Sequence, residues 1–150
     1  MNSYVKLYTD GSCNNTNPQG MGMGIYLLDP EQQFYIARCE EVGGKATSNI
    51  AEYLALLQGL IIIENLWSVY PQIEVYSDSQ MLVEGVTGGY KLKDSTLILI
   101  AQAIIAKQYE LNVPMTLTWI PRAQNKIADK LSKQALLCDP STYEMQRITL

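Results

Sequence analysis

Tyr4-Val5-Lys6-Leu7-Tyr8-Thr9-Asp10-Gly11 is the stretch on which the fold reading turns, because it alternates with a period of two. Apolar Val5 and Leu7 interleave with Lys6 and Tyr8, as in a β-strand with one face buried. The strand is predicted to end at Asp10-Gly11, a common turn pair. Beyond it, Gly11 to Gly20 is rich in Asn, Pro, Ser and Gly and reads as a loop. Met21 to Leu28 and Phe34 to Glu41 read as two more strands joined through Asp29-Pro30, so the first three form an antiparallel meander. Thr47-Ser48-Asn49 opens a helix reaching about Trp67, followed by a strand at Ile73 to Ser77 and a short helix at Ser79 to Val86. Gly88 to Lys93 is a loop, Ser95 to Leu111 a helix, Met115 to Ile120 a strand and Ala123 to Leu137 a final helix. The tail after Asp139-Pro140 takes no assignment. Strands that alternate with helices pair in parallel through right-handed crossovers. The expected fold is therefore α/β: a five-stranded mixed sheet, its first three strands antiparallel and its last two parallel, with helices on both faces.

Composition narrows the function. The chain has 150 residues, the size of one domain, with 47% hydrophobic and 17% charged residues. A net charge of −4 disfavours a nonspecific polycationic binder of nucleic acid. No histidine is present, which removes Ser-His and Cys-His catalysis and every histidine-containing zinc site. Cys13, Cys39 and Cys138 share no metal spacing and fit reduced thiols. The apolar run Leu54 to Ile63 is interrupted by Gln58 and is shorter than the ~20 residues that span a bilayer. No basic and then apolar leader is visible, so a cytoplasmic protein without a membrane partner is expected.

Four acids stand at element boundaries, where an α/β sheet places its chemistry. Each has an ordinary reading. Asp10 precedes a turn glycine, Glu52 could close a capping box with Asn49, Asp78 sits inside the Ser77–Gln80 capping spacing, and Asp129 has Lys126 and Lys133 as helical neighbours. Together they read differently. Asp10 and Asp78 end neighbouring strands, Glu52 falls in the first turn of one helix and Asp129 in the second turn of another. Such a cluster repels itself by several kcal/mol at an effective dielectric of ~20 unless divalent cations neutralise it. All-oxygen ligation suits Mg²⁺ or Mn²⁺, and two such ions ~3.5–4 Å apart can clamp an in-line phosphoryl displacement without histidine. The alternate glycines of Gly20-Met21-Gly22-Met23-Gly24 run into a strand rather than open a helix, so they suit close approach of the backbone to substrate or a neighbouring strand rather than a dinucleotide loop.

The chain resembles type 1 ribonuclease H. Tyr8-Thr9-Asp10-Gly11-Ser12-Cys13 with Asn17-Pro18-Gln19-Gly20 is similar to that family's first hairpin, and Thr47-Ser48-Asn49-Ile50-Ala51-Glu52 to the start of its first helix. Tyr76-Ser77-Asp78-Ser79-Gln80 resembles its fourth strand and turn, and Trp119-Ile120-Pro121-Arg122 with Asn125 to Ser132 its last strand, loop and helix. The resemblance runs from about Tyr4 to Leu137. It implies an endonuclease that hydrolyses the RNA strand of an RNA/DNA hybrid, leaving 5′-phosphate and 3′-hydroxyl ends. By the same resemblance Asp10, Glu52, Asp78 and Asp129 are the catalytic, metal-binding set for two Mg²⁺ ions, with Mn²⁺ able to substitute. Gly11, Ser12, Cys13, Asn17, Lys45, Thr47, Ser48, Asn49, Gln80 and Arg122 form the substrate-binding set, in which Asn17, Ser48, Asn49 and Gln80 meet the minor groove and the RNA 2′-hydroxyls, and Lys45 and Thr47 hold a DNA-strand phosphate. A catalytic domain at 1–138, a tail at 139–150 and a monomer without an obligate protein partner are expected.

The sequence also departs from that pattern. The loop histidine of many relatives is missing, leaving Arg122 to supply charge to a phosphate; the basic protrusion is reduced to Lys91 and Lys93 beside Tyr90; and Asp94 stands where relatives tend to have asparagine. Another nuclease of the same fold is disfavoured by Ser12, where exonucleases have a second acid, and by Asp129, where transposases have glutamate. A catalytically silent nucleic-acid-binding domain is disfavoured because all four acids are present. Trp119 is expected in the core.

Overall fold

The alternation along Val5–Cys13 (β1) is realised in three dimensions: Val5 and Leu7 are fully buried, whereas Lys6 and Tyr8 are only partly covered. The computed structural model describes residues 4–14, 20–29, 32–41, 47–66, 70–89, 91–136 and 143–149. β1 is followed by Gly20–Leu28 (β2), Gln32–Glu41 (β3), Ser48–Asn65 (α1), Ile73–Ser77 (β4), Gln80–Thr87 (α2), Ser95–Leu111 (α3), Met115–Trp119 (β5), Lys126–Ala135 (α4) and Tyr143–Thr149 (β6). The sheet order is β5-β4-β1-β2-β3-β6. β1 pairs antiparallel with β2 and parallel with β4, and β4 pairs parallel with β5. The five strands read from the sequence thus pair as expected. β6 adds a sixth along the outer edge of β3, using residues that the sequence left unassigned.

One face of the sheet packs on α1. Leu7, Ile25, Leu27, Ile36 and Val75 meet Tyr53, Leu56 and Leu60 in a single core that also takes in Leu97 and Ile104 of α3. Burying each such Leu or Ile contributes roughly 1.5–3 kcal/mol, and this face is the main source of stability. Helix starts are set by side-chain caps: Thr47 Oγ1 accepts from Ile50 N–H at 3.2 Å, Ser79 Oγ from Leu82 N–H at 3.1 Å, and Asp94 from Leu97 N–H at 3.0 Å. Capping by Thr47 and Ser79 replaces the boxes read at Asn49–Glu52 and Ser77–Gln80, so neither Glu52 nor Asp78 is explained by a cap.

The structure corrects several boundaries. β1 does not turn at Asp10-Gly11 but stays in register as far as Cys13 opposite Met21. Gly11 is needed for another reason: a Cβ there would lie 2.3 Å from the α1 backbone at Ala51 and Glu52. The last helix begins at Lys126 rather than Ala123, because a 3₁₀ turn at Arg122–Gln124 and Asn125 intervene. Asp129 therefore falls in the first turn of its helix, and Glu52, five residues into α1, in the second. Trp119 is 46% exposed rather than in the core. No helix among the described residues is long and apolar enough to cross a membrane.

Candidate active site

Strand register builds the site. Thr9 of β1 lies opposite Ser77 of the parallel strand β4, so Asp10 and Asp78 are the next residues along two adjacent strands. Glu52 arrives from α1, whose backbone sits against Gly11 with no room for a side chain between them. One carboxylate oxygen each of Asp10, Glu52 and Asp78 falls within 4.8 Å of the other two. Asp129 belongs to the same neighbourhood. Its carboxylate comes within hydrogen-bonding reach of Asp10, outside that 4.8 Å set, and takes an ion pair from Lys133 Nζ at 3.2 Å.

A second close approach brings Asp129 there. Gly24 is the cross-strand partner of Asp10, and a Cβ on it would lie 2.0 Å from the Ala128 carbonyl oxygen of α4. Gly22, two residues earlier on the same face, would meet the Ser132 carbonyl oxygen at 2.1 Å. The alternate glycines are therefore the seat of a helix, where the sequence pointed to substrate or a neighbouring strand.

Charge is costly here. Two ionised carboxylates 4.8 Å apart repel by more than about 3 kcal/mol at an effective dielectric of ~20. Asp10, only 4% exposed, responds by holding its proton: burial first, then Asp78, Asp129 and Glu52, pushes its carboxyl from 3.8 up to about 8. Glu52 is also raised, chiefly by burial, against the pull of a Ser79 hydrogen bond and of Arg122. Asp78 Oδ2 is buried with no hydrogen-bond partner; Arg122 Nε approaches it at 3.8 Å, within ion-pair range but too far for a hydrogen bond. The Arg122 side chain is 76% exposed, so solvent screens that attraction. Hard oxygen donors converging around an unpartnered buried oxygen suit a divalent cation such as Mg²⁺ or Mn²⁺.

The expected substrate contacts other than Arg122 fall on several elements. Gly11, Ser12 and Cys13 continue β1 past Asp10, and the free thiol of Cys13 lies 3.6 Å from Ser48 Oγ across the gap to α1. Ser48 and Gln80 stand exposed in the first turns of α1 and α2, with Asn49 beside them half-buried. Thr47 spends its hydroxyl oxygen on the cap. Asn17 and Lys45, and Tyr90 of the shortened protrusion, lie outside the described residues. Asp94, which stands where relatives tend to have asparagine, is occupied as the α3 cap.

Two neighbours escaped the sequence reading. Trp119 donates its indole N–H to the Asp78 carbonyl at 3.2 Å. Ser132, fully buried, sets its hydroxyl 3.1 Å from Asp10 Oδ2. Its position one helical turn after Asp129 was the available signal.

Known proteins resemble this chain in sequence and fold. The model of a family described as reverse transcriptase-like matches residues 8–135. A bifunctional protein of Mycobacterium tuberculosis is 32% identical over 129 residues, 84% of this chain and 33% of its own length. This chain thus spans about a third of the first curated relatives it matches. Ribonuclease HI of Halobacterium salinarum is 29% identical, covering 88% of this chain and 64% of that one. Among solved structures, ribonuclease H1 of Halobacterium salinarum superposes with a TM-score of 0.70 at 25% identity, over 89% of this chain and 97% of that one. LC11 ribonuclease H1 in complex with an RNA/DNA hybrid gives 0.70 at 27% identity, over 87% and 95%.

Proposed function

Because the chain belongs to the reverse transcriptase-like family of ribonuclease H-like domains, we propose that it is a divalent-metal-dependent endonuclease that hydrolyses the RNA strand of RNA/DNA hybrids, leaving 5′-phosphate and 3′-hydroxyl ends. The observation that carries this reading is the convergence of Asp10, Glu52 and Asp78 within 4.8 Å, around a buried Asp78 oxygen that no donor satisfies. A purely structural cluster would pair that oxygen. The likeness to a ribonuclease H1 solved with an RNA/DNA hybrid supports the substrate class.

Asp10, Glu52, Asp78 and Asp129 would hold two Mg²⁺ ions. When bound, the ions supply Lewis-acid activation of water and neutralisation of the leaving oxygen. The chain's own residues do the rest. Exposed Ser48 and Gln80 offer short polar groups to 2′-hydroxyls, the chemistry that separates RNA from DNA. Arg122, exposed on a 3₁₀ turn and fixed in charge, would lend that charge to a scissile or departing phosphate but moves no proton near neutral pH. Contacts of this kind read backbone and groove rather than base edges, so cleavage is largely independent of sequence.

The test is hydrolysis of a labelled RNA/DNA hybrid in Mg²⁺ beside single-stranded RNA, duplex RNA and duplex DNA, with end analysis of the products. Cleavage confined to the RNA of the hybrid, with 5′-phosphate termini, is expected. Equal cutting of duplex DNA would reject the substrate assignment.

A further inference from the structure

Ser132 joins the Asp10 carboxylate to the turn of α4 that carries Asp129, and nothing in the chemistry above uses it. It is fully buried on α4, one turn after Asp129. Its hydroxyl lies 3.1 Å from Asp10 Oδ2 and 2.8 Å from the Asp129 carbonyl oxygen. Its own carbonyl accepts from Ser12 Oγ at 2.9 Å. Asp10 and Ser12 are alternate residues of β1 and so share a face. One α4 residue therefore engages two same-face β1 side chains, once as donor and once as acceptor. Gly22 and Gly24 permit the approach, since a Cβ on either would strike the Ser132 or Ala128 backbone.

The hydroxyl has one proton and two acceptors. Bonding back to the Asp129 carbonyl is the local habit of a helical serine and fixes nothing beyond its own turn. Donation to Asp10 crosses from helix to strand and restrains the carboxylate. We infer that Ser132 is a positioning residue: it orients the Asp10 carboxylate and locks α4 to β1, so that Asp129 and Asp10 face one cation-binding space. This rests on the metal reading of the acidic cluster. Outer partners of a ligating carboxylate typically account for about 10–100-fold in metal affinity or activity.

The experiment compares wild type, Asp78→Asn and Ser132→Ala by Mn²⁺ binding, followed by electron paramagnetic resonance, and by thermal unfolding in EDTA. Hybrid cleavage is measured alongside. Ser132→Ala is expected to bind Mn²⁺ about 10–100-fold more weakly. Its kcat at subsaturating Mn²⁺ falls while KM for the hybrid holds, and its EDTA midpoint stays within about 4 °C of wild type, the shift of about 1 kcal/mol in a domain this size. Mn²⁺ binding by Ser132→Ala equal to wild type overturns the inference. So does a loss of affinity matched by a larger fall in the EDTA midpoint or by failure to fold, since that marks a structural role alone. Wild type that binds no Mn²⁺, or binds no better than Asp78→Asn, overturns the metal reading itself.

Discussion

The two faces of β1 show how differently neighbouring residues of one strand are used. Val5 and Leu7 point into the α1 core at zero exposure, and Leu7 packs close enough to Gly59 that a Cβ there would meet its methyls at 2.9 Å. Tyr8, Asp10 and Ser12 point the other way. That opposite face is only partly covered: α4 lies over Gly22 and Gly24 beside the acids, and beyond it a row of tyrosines crosses four strands. Tyr76, Tyr8, Tyr26 and Tyr35 stand in register, with ring centroids 4.9, 5.6 and 5.1 Å apart along the row. Their hydroxyls are partly tied down, Tyr26 and Tyr35 to Gln33 and Tyr76 to Glu74. The α1 face supplies most of the folding energy, while Asp10 lies on its reverse, and the acidic cluster forms at the strand ends, where Glu52 reaches it from α1. Within β1, packing and chemistry alternate with the two-residue period of a strand.

That alternation can be attacked from either side. The largest effect belongs to the acid face. Asp78→Asn is expected to lower hybrid cleavage by about 10³-fold or more, the scale of several kcal/mol of lost transition-state stabilisation. Hybrid binding in Ca²⁺ and the thermal midpoint should change little. The mirror experiment is Leu7→Ala, which should cost about 2–5 kcal/mol of stability through the cavity it leaves. A denaturant titration reads that loss, while kcat of the folded fraction should remain near wild type. A variant that lost both properties equally would break the comparison.

A smaller effect follows from pH. The folded chain holds a proton on Asp10 up to about pH 8, whereas the unfolded chain loses it near 3.8. Between those values the native state binds the extra proton, so metal-free stability falls as pH rises, by at most about 1.4 kcal/mol per pH unit from this group. Glu52, also raised, acts in the same sense. Thermal melts at pH 5, 6.5 and 8 in EDTA should show the decline, and Asp10→Asn should flatten it. Mg²⁺ should stabilise more as pH rises, because cation and proton compete for the same oxygens. The smallest change is expected at the exposed rim: Arg122→Ala should lower turnover about tenfold, roughly 1.4 kcal/mol, with hybrid affinity nearly unchanged. An unchanged kcat would leave Arg122 as a solvated loop residue.

Much of this was legible in the chain itself. Period-two alternation gave β1, and the order of elements gave the pairing of β1 with β4 that brings Asp10 beside Asp78. Gly11 misled, because Asp-Gly signals a turn locally and a close helix approach only in three dimensions. The helix start at Lys126 was hidden because Arg122-Ala123-Gln124 has helical propensity, while buried Asn125, whose Nδ2 donates to the Thr9 carbonyl at 2.9 Å, sets the break through a contact 116 residues away in sequence. Trp119 reads as core from its composition, but its strand is at the sheet edge, where the indole serves the Asp78 carbonyl instead. Ser132 carried no motif of its own. Its importance depends on two glycines of β2 that let α4 descend onto the sheet.

The claim beneath all of this is that Asp10, Glu52 and Asp78 act by holding a divalent cation. Cleavage of a labelled RNA/DNA hybrid, followed after EDTA treatment and then through stepwise return of Mg²⁺, tests it most directly. No cleavage is expected in excess chelator, with full recovery along a saturable Mg²⁺ curve that is absent in Asp78→Asn. Cleavage that persists in excess chelator, or a Mg²⁺ response that Asp78→Asn shares unchanged, would contradict it.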